Sequence, residues 1–441
     1  MQFPELFEQR TRAILGDEYT LLQEALQTPP PVSVRVNSKQ SGYQPSLTKV
    51  PWSKGGYYLD QRPVFTLDPL LHAGIYYVQE ASSMFLEEVV RQLAPDAHRV
   101  LDLCAAPGGK STLLSELLPD ALLVSNEIVR SRAMILAENL IKWGNPSLVV
   151  SNNAPSDFRA TPGFFDLMVV DAPCSGEGMF RKDEGAVAEW SPANVQQCSL
   201  RQQQLLTDAW DALAEGGILI YSTCTFNREE NEESVAFIRE QLGAELLTVD
   251  ISAFEGIVFS GSGYRFYPHR IQGEGFFIAA LRKTSTAPSP NRMKMDIRKL
   301  NLKPATQFTN ALVPADAFRV YDDNTLVFAL PRQWNDEILF LRLRLNCLVA
   351  GVQLAERKGN DLIPAHQLAL SKNLNTEQFS GTEVDLTTAL LYLKREAISL
   401  PDAPKGYVRI CYNGHTLGWV KNLGNRSNNL YPQHWRIRMN L

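Results

Sequence analysis

Two cysteines in this chain follow apolar runs of the kind that form buried strands. Cys174 ends Asp171-Ala172-Pro173-Cys174 after the run 167–170, and Cys224 lies in Ser222-Thr223-Cys224-Thr225 after the run 218–221. A thiol at a loop tip can ionise and attack carbon, whereas a thiol sealed in a core is inert. With Asp171 beside them, the pair would suit covalent catalysis aided by a carboxyl group. A third stretch, 98–112, reads His-Arg-Val-Leu-Asp-Leu-Cys-Ala-Ala-Pro-Gly-Gly-Lys-Ser-Thr. Its strand-like start breaks at Gly108-Gly109 into a helix start, and two residues without a Cβ let a ligand approach the first N–H groups of that helix. The ending Gly109-Lys110-Ser111 imitates a phosphate loop, but that loop needs a glycine where this chain has Cys104. A nucleoside cofactor fits better. The run 122–124 leads to Glu127, 18 residues after Gly109, near the spacing at which a carboxylate accepts hydrogen bonds from ribose hydroxyls.

These groups meet only if the strands that carry them are parallel neighbours, because ligands bind at the carboxyl ends of such strands. The chain between them alternates as that requires. Strands are expected at 99–103, 121–126, 147–151 and 167–170, helices at 109–118, 130–143 and 193–214, and further strands at 218–221 and 275–281. This is an α/β, doubly wound, mostly parallel sheet. Before it, a helical segment 1–28 presents Phe7, Ile14, Leu15, Leu21, Leu22 and Leu26 on one face, and Pro29-Pro30-Pro31 leads into an alternating strand from Val32. After it, 284–304 has linker composition, 320–331 and 338–352 alternate in short apolar runs, and a last unit has a helix at 387–396 with strands near 407–412 and 417–420. The expected division is 1–75, 76–283, the linker 284–304, 305–384 and 385–441.

The 441 residues carry a net charge of −5, which alone argues against a nucleic-acid partner. Its distribution argues for one. Residues 282–303 hold seven Lys/Arg and one Asp, and residues 405–441 hold six Lys/Arg and no acid. Segregated basic stretches bind phosphates whatever the total charge. In the last stretch Tyr412, Trp419, Tyr431 and Trp435 accompany the cations and could stack on bases. Six cysteines without a Cys-x-x-Cys pair, and only six histidines, fit neither a disulfide framework nor a zinc site, so no metal is expected. No apolar run approaches the roughly 18 residues of a membrane span, and the acidic start does not resemble a signal peptide. The expectation is a cytoplasmic, monomeric enzyme without a membrane partner.

Taken together, Asp102-Leu103-Cys104-Ala105-Ala106-Pro107-Gly108-Gly109-Lys110, Asp171-Ala172-Pro173-Cys174-Ser175-Gly176-Glu177-Gly178, Tyr221-Ser222-Thr223-Cys224-Thr225-Phe226, Arg35-Val36-Asn37 and Leu417-Gly418-Trp419-Val420-Lys421 extend over nearly the whole chain. In these the sequence resembles the Nop/Sun family of S-adenosylmethionine-dependent RNA cytosine-5 methyltransferases, above all its bacterial RsmF-type ribosomal RNA branch. The resemblance implies a Rossmann-like methyltransferase core with a small N-terminal α+β domain and C-terminal α+β, PUA-like RNA-binding domains. It implies S-adenosylmethionine as cofactor and RNA as substrate, either 16S rRNA or the small ribosomal subunit. Cys104, Ala105, Ala106, Pro107, Gly108, Gly109, Lys110, Glu127 and Asp171 would bind the cofactor, while Cys224 and Cys174, with Asp171, would do the chemistry. The family places an aspartate after the third strand to take the adenine amino group; this chain offers Asn153, with Asp157 as substitute.

Cytosine C5 is a poor nucleophile, so a thiolate must first add to C6, and a second thiol would then assist its release. Two other readings compete: a DNA cytosine-5 methyltransferase, which would use Cys174 and leave Thr223-Cys224 without a role, and a non-catalytic RNA-binding assembly factor. Cys198, Cys347 and Cys411 are expected in the core, with Cys104 packing in the cofactor turn. Glu229, Glu230, Glu232 and Glu233 follow a loop and open a helix, and favourable interaction with the helix dipole is the preferred explanation for them. Arg181 and Lys182 are expected either to hold RNA phosphates or to be solvated.

Overall fold

The computed structural model describes residues 2–37, 47–287 and 296–439. Its centre is a ten-stranded sheet. Five strands are parallel, in the order β8 (Leu213–Thr223), β7 (Phe165–Asp171), β4 (Arg99–Asp102), β5 (Leu122–Asn126), β6 (Leu148–Ser151). Labels β1 (Val32–Val36), β2 (Gly56–Leu59) and β3 (Tyr76–Val78) belong to a separate antiparallel sheet of order β2-β1-β3. The middles of the parallel strands are apolar because both faces are covered. Val100, Leu123, Val150, Val169 and Ile220 face one core cluster, and Leu101, Val124, Val149, Val170 and Leu219 face the other.

The sheet is more mixed than the sequence suggests. β12 (Phe276–Lys283) runs antiparallel to β8 and continues through β11 (Tyr264–Phe266) to β10 (Val258–Phe259), while β9 (Ala244–Leu247) pairs with the far half of β12. At the opposite edge β16 (Cys347–Ala350) pairs antiparallel with β6. The strands that continue the chain, β13 (Lys303–Pro304), β14 (Phe318–Asp322), β15 (Leu326–Pro331), β17 (Val352–Lys358) and β18 (Asp361–Pro364), form a five-stranded sheet. The last unit has β19 (Gly381–Glu383), β20 (Gly406–Tyr412), β21 (His415–Asn422) and β22 (Ser427–Asn429). Two sheets thus cross the expected divisions, since β3 lies past residue 75 and β16 joins the core sheet from beyond residue 304. Residues 288–295 of the expected linker lie outside the described residues.

The helices that flank the site start and stop near their expected ends. Helix Gly109–Leu117 follows the glycine turn, and helix Arg130–Trp143 stops at Gly144, whose φ of +82° suits a residue without a Cβ. Three expectations are corrected. Helix Pro192–Ala209 ends earlier than residue 214, and β8 begins at Leu213 with a bulge through Gly216, at φ +76°, before it rejoins β7 at Ile218. The run at 338–341 is helical, within Asn335–Arg344, because all four side chains are buried and no alternation survives. The N-terminal helices Glu5–Leu15 and Tyr19–Leu26 bury Phe7, Leu22 and Leu26 but expose Leu21. Their buried face packs with Phe3 on Phe180, Trp190, Phe226 and Tyr267, in and around the two cysteine-bearing loops.

Candidate active site

Register puts the two thiols at one height. In the parallel β7–β8 pair Asp171 stands opposite Ser222, so the residues that follow each leave the same carboxyl edge. Ser222 Oγ donates to Asp171 Oδ1 at 2.8 Å. Beyond the strand ends, Cys174 Sγ and Cys224 Sγ are 3.2 Å apart, both partly exposed. Contact with Cys224, then burial, pushes the Cys174 thiol well above its ordinary range.

Lys110 reaches across this edge. Its Nζ lies 2.8 Å from Asp171 Oδ2 and over the Phe276 ring. Burial opposes its charge, but Asp171, Asp102 and Cys224 outweigh that and hold the ammonium above the usual lysine range. The Lys110-Ser111 pair is therefore not arranged for phosphate, since Ser111 Oγ donates to Asp102 Oδ2 at 2.6 Å. Asp102, which ends β4, is fully buried and its Oδ1 has no protein partner. Burial pushes its pKa up to about 7.

The glycine turn is built for a close approach. Gly108 has φ +117°, and a Cβ there would come 3.3 Å from Leu136 Cδ1. The turn is anchored from several sides. Ala105 N–H donates to Asn126 O at 2.8 Å, Arg132 donates to Ala106 O at 3.0 Å, and Asn139 Nδ2 donates to Pro107 O at 2.8 Å. Burial pushes the Cys104 thiol up, in keeping with a packing role. From the N-terminal sheet, Arg35, 1% exposed, pairs with Glu116 and donates to Thr112 Oγ1 on the helix that Gly109 starts.

Glu127 directly follows β5 and is buried. Its Oε1 accepts the Val129 N–H at 2.9 Å, and Arg132 lies 3.4 Å from Oε2, so each oxygen keeps acceptor capacity. Ile128 and Val129 beside it are exposed. Asn153 and Asp157 are bonded to each other: Asn153 Nδ2 donates to Asp157 Oδ2 at 2.9 Å, and Asn153 Oδ1 accepts the Asn346 N–H at 3.0 Å. The two form one unit rather than alternatives.

Several charged residues are not where composition put them. Arg181 is buried, with Nε 3.0 Å from Glu274 Oε2 and Nη2 donating to Gly273 O at 2.7 Å, and Lys182 also pairs with Glu274. Arg181 is thus structural, and its partner 93 residues away was invisible locally. Of the four glutamates after Cys224, Glu232 and Glu233 stand in the first turn of helix Glu232–Gln241 as expected, Glu232 also pairing with buried Arg265, whereas Glu230 precedes that helix and is fully buried, which the helix dipole does not explain. In the tail, Trp419, Tyr431 and Trp435 are core, with Trp419 Nε1 donating to Ala365 O at 2.9 Å. They are closed to base stacking.

The chain is similar to known proteins over nearly its whole length. Residues 90–282 match the family described as 16S rRNA methyltransferase RsmB/F, residues 3–81 the N-terminal domain of 16S rRNA methyltransferase RsmF, and residues 380–437 the methyltransferase RsmF PUA domain. Ribosomal RNA small subunit methyltransferase F of Erwinia tasmaniensis is 30% identical, covering 98% of this chain and 96% of its own. The chain belongs to the ribosomal RNA small subunit methyltransferase F family. The relative from Vibrio cholerae is 31% identical over 98% of this chain and 97% of its own. Among solved structures, a methyltransferase homolog from Pyrococcus horikoshii is 28% identical with a TM-score of 0.55, over 64% of this chain and 95% of that one. The structure titled NSun6 from Pyrococcus horikoshii with SFG shares the fold, at 20% identity and a TM-score of 0.53, over 64% of this chain and 99% of that one.

As a member of the methyltransferase F family the chain is an S-adenosylmethionine-dependent RNA methyltransferase. The residues present fit that cofactor: a turn that tolerates no Cβ, a buried carboxylate at the tip of β5, and an unpartnered buried oxygen on Asp102. Sequence reasoning left Asp102, Glu177 and Glu230 out of the site; the only local signal for the two glutamates is an acid among the Ser, Thr and Asn residues of each cysteine loop. Among the described residues no helix is long and apolar enough to cross a membrane, and no cluster suits a metal ion.

Proposed function

We propose that this protein methylates C5 of cytosine in 16S rRNA of the small ribosomal subunit, as a monomer, with Cys224 as nucleophile and Cys174 as the thiol that assists release. The observation that carries this reading is the pair of thiols 3.2 Å apart beside Asp171 and Lys110. In a carbon methylation two thiols have separate work to do. Cys224 forms the S–C6 bond, and the C5–C6 π electrons move to C5. As charge gathers on N3 that nitrogen takes a proton from water, and its N–H donates to Asp171, which Lys110 and Ser222 hold in place. Bound S-adenosylmethionine supplies an electrophilic methyl group to the carbon so activated; Gly108, Gly109, Glu127, Asp102 and the Asn153–Asp157 unit would hold it. Solvent acting as base takes the C5 proton, the electron pair of that C–H bond restores the C5–C6 double bond, and the S–C6 bond breaks with its pair leaving on Cys224 as the thiolate. The Cys174 thiol, 3.2 Å from Cys224, donates a hydrogen bond to the departing sulfur and so stabilises it as it leaves. The base must leave its stack to reach the thiols, so unpaired or easily opened RNA reacts best.

The test uses both cysteine variants with substrate RNA and S-adenosylmethionine. Cys224→Ala abolishes methylation and yields no covalent species. Cys174→Ala accumulates an enzyme–RNA adduct that survives denaturing electrophoresis. An adduct with Cys224→Ala and none with Cys174→Ala reverses the roles and points to the DNA-type arrangement.

A further inference from the structure

The loops that follow the two strand ends hold each other through two buried carboxylates that face in opposite senses. Glu177, on the Cys174 loop, is 2% exposed. Its Oε2 accepts from the Thr225 hydroxyl at 2.7 Å and from the N–H groups of Phe226 and Asn227 at 2.8 Å, all on the Cys224 loop. Its Oε1 accepts the Trp190 indole N–H at 2.9 Å. Glu230, on the Cys224 side, accepts the N–H of Ser175, the neighbour of Cys174, at 3.0 Å. It also accepts from Gln202 Nε2 and Asn227 Nδ2, both at 2.8 Å, and Gln202 donates onward to Pro173 O at 3.0 Å. Between the loops the Ser175 and Thr225 hydroxyls touch at 3.0 Å. A carboxylate is tolerated inside a protein only where dense donors offset its desolvation. Here every donor but one, the Trp190 indole, comes from the cysteine loops or from a residue that also braces Pro173.

We propose that Glu177 and Glu230 form a reciprocal clamp that sets the spacing of Cys174 and Cys224, making both glutamates positioning residues for methyl transfer; this role rests on the reading of the two thiols given above. A carboxylate only accepts hydrogen bonds, so a glutamine of the same shape must turn its NH2 toward one set of donors. That opens one side of the clamp without opening a cavity.

The spacing can be read without the reaction. Diamide oxidises a close thiol pair: two thiols lose their hydrogens, an S–S bond forms, and diamide is reduced to its hydrazine. In the full-length wild type the Cys174–Cys224 cross-link, identified by peptide mass spectrometry, forms readily. Glu177→Gln and Glu230→Gln slow it by roughly tenfold or more and lower kcat by roughly ten- to a hundredfold, as for a displacement of the reacting groups by about 1 Å. KM for RNA and for S-adenosylmethionine stays within about twofold. If either variant fails to fold, Thr225→Val removes one donor from Glu177 and tests the same contact more gently. Folded variants that cross-link and turn over like the wild type overturn the proposal, even with a lowered melting temperature. Slowed cross-linking with unchanged kcat would instead take the thiols out of the reaction, and Cys224→Ala would then retain methylation.

Discussion

Asp102 offers a quantitative test of the cofactor end of the site. Its carboxyl group ends β4 at 0% exposure, bonded through Oδ2 to Ser111 and through Oδ1 to no protein group. Burial, opposed by Ser111 and Lys110 and reinforced by Asp171 and Glu127, moves its pKa up to about 7. In the unfolded chain the same group titrates near its ordinary value of about 3.9. Folding therefore takes up a proton between those two values, and raising the pH through that window favours the unfolded chain. At about 1.4 kcal/mol per unit over roughly three units, the contribution lost by pH 7 is on the order of 4 kcal/mol. Asp102→Asn keeps the acceptor for Ser111 and cannot ionise. Urea denaturation of the full-length variant and wild type, without cofactor, should give a stability difference that shifts in favour of the variant by roughly 4 kcal/mol between about pH 4 and about pH 8. Titrations common to both proteins cancel in that difference. S-adenosylmethionine is a cation, so wild-type affinity should also rise through neutrality while that of Asp102→Asn stays level. A pH-independent stability difference would refute the assignment of a buried, proton-holding Asp102.

Two further outcomes are expected. In Gly178→Ala the new Cβ would lie 2.5 Å from Gly275 O and 2.9 Å from Cys224 O, a clash worth about 1–3 kcal/mol; kcat should fall while calorimetric affinity for S-adenosylmethionine holds, and an unchanged kcat would show that the Cys224 carbonyl can move freely. Changing the exposed Lys405, Arg426, Arg436 and Arg438 together to Gln should flatten the salt dependence of RNA binding by up to about 0.7 in slope per lost phosphate contact, with cofactor affinity intact, and an unaltered slope would remove these four cations from the RNA interface.

The parallel half of the sheet was legible because covering both faces leaves an uninterrupted apolar run, and each run in 99–223 is closed by a turn residue. What the runs could not reveal was pairing between distant segments. β16 is a four-residue strand that joins β6 from nearly two hundred residues away, and nothing in Cys347–Ala350 distinguishes the core sheet from the neighbouring five-stranded one. The helix at Asn335–Arg344 was hidden for the opposite reason, since four consecutive buried residues, 338–341, carry neither period. The aromatic residues of the tail misled through composition. Leu417, Gly418, Trp419 and Val420 are all buried in β21, so Trp419 sits in a strand covered on both faces despite its basic surroundings.

At the site, Cys174, Cys224 and Asp171 were recoverable because each stands at or just beyond the end of an apolar run, and parallel strands bring such ends to one edge: Asp171 opposite Ser222 brings the following residues together. Buried charge is different in kind. Glu177, Glu230, Arg181 and Arg35 each carry a charge that, taken alone, assigns a residue to the surface. Each is inside because a partner from another segment offsets its desolvation: Glu274 for Arg181, Glu116 for Arg35, the facing loop for each glutamate. The information lies in pairs separated by 48 to 93 residues, not in any window of the chain. The one local trace is chemical. An acid within six residues of each strand-end cysteine, amid Ser, Thr and Asn, supplies acceptors to a stretch rich in donors, and only in the cysteine loops does that surplus coincide with a need for fixed geometry.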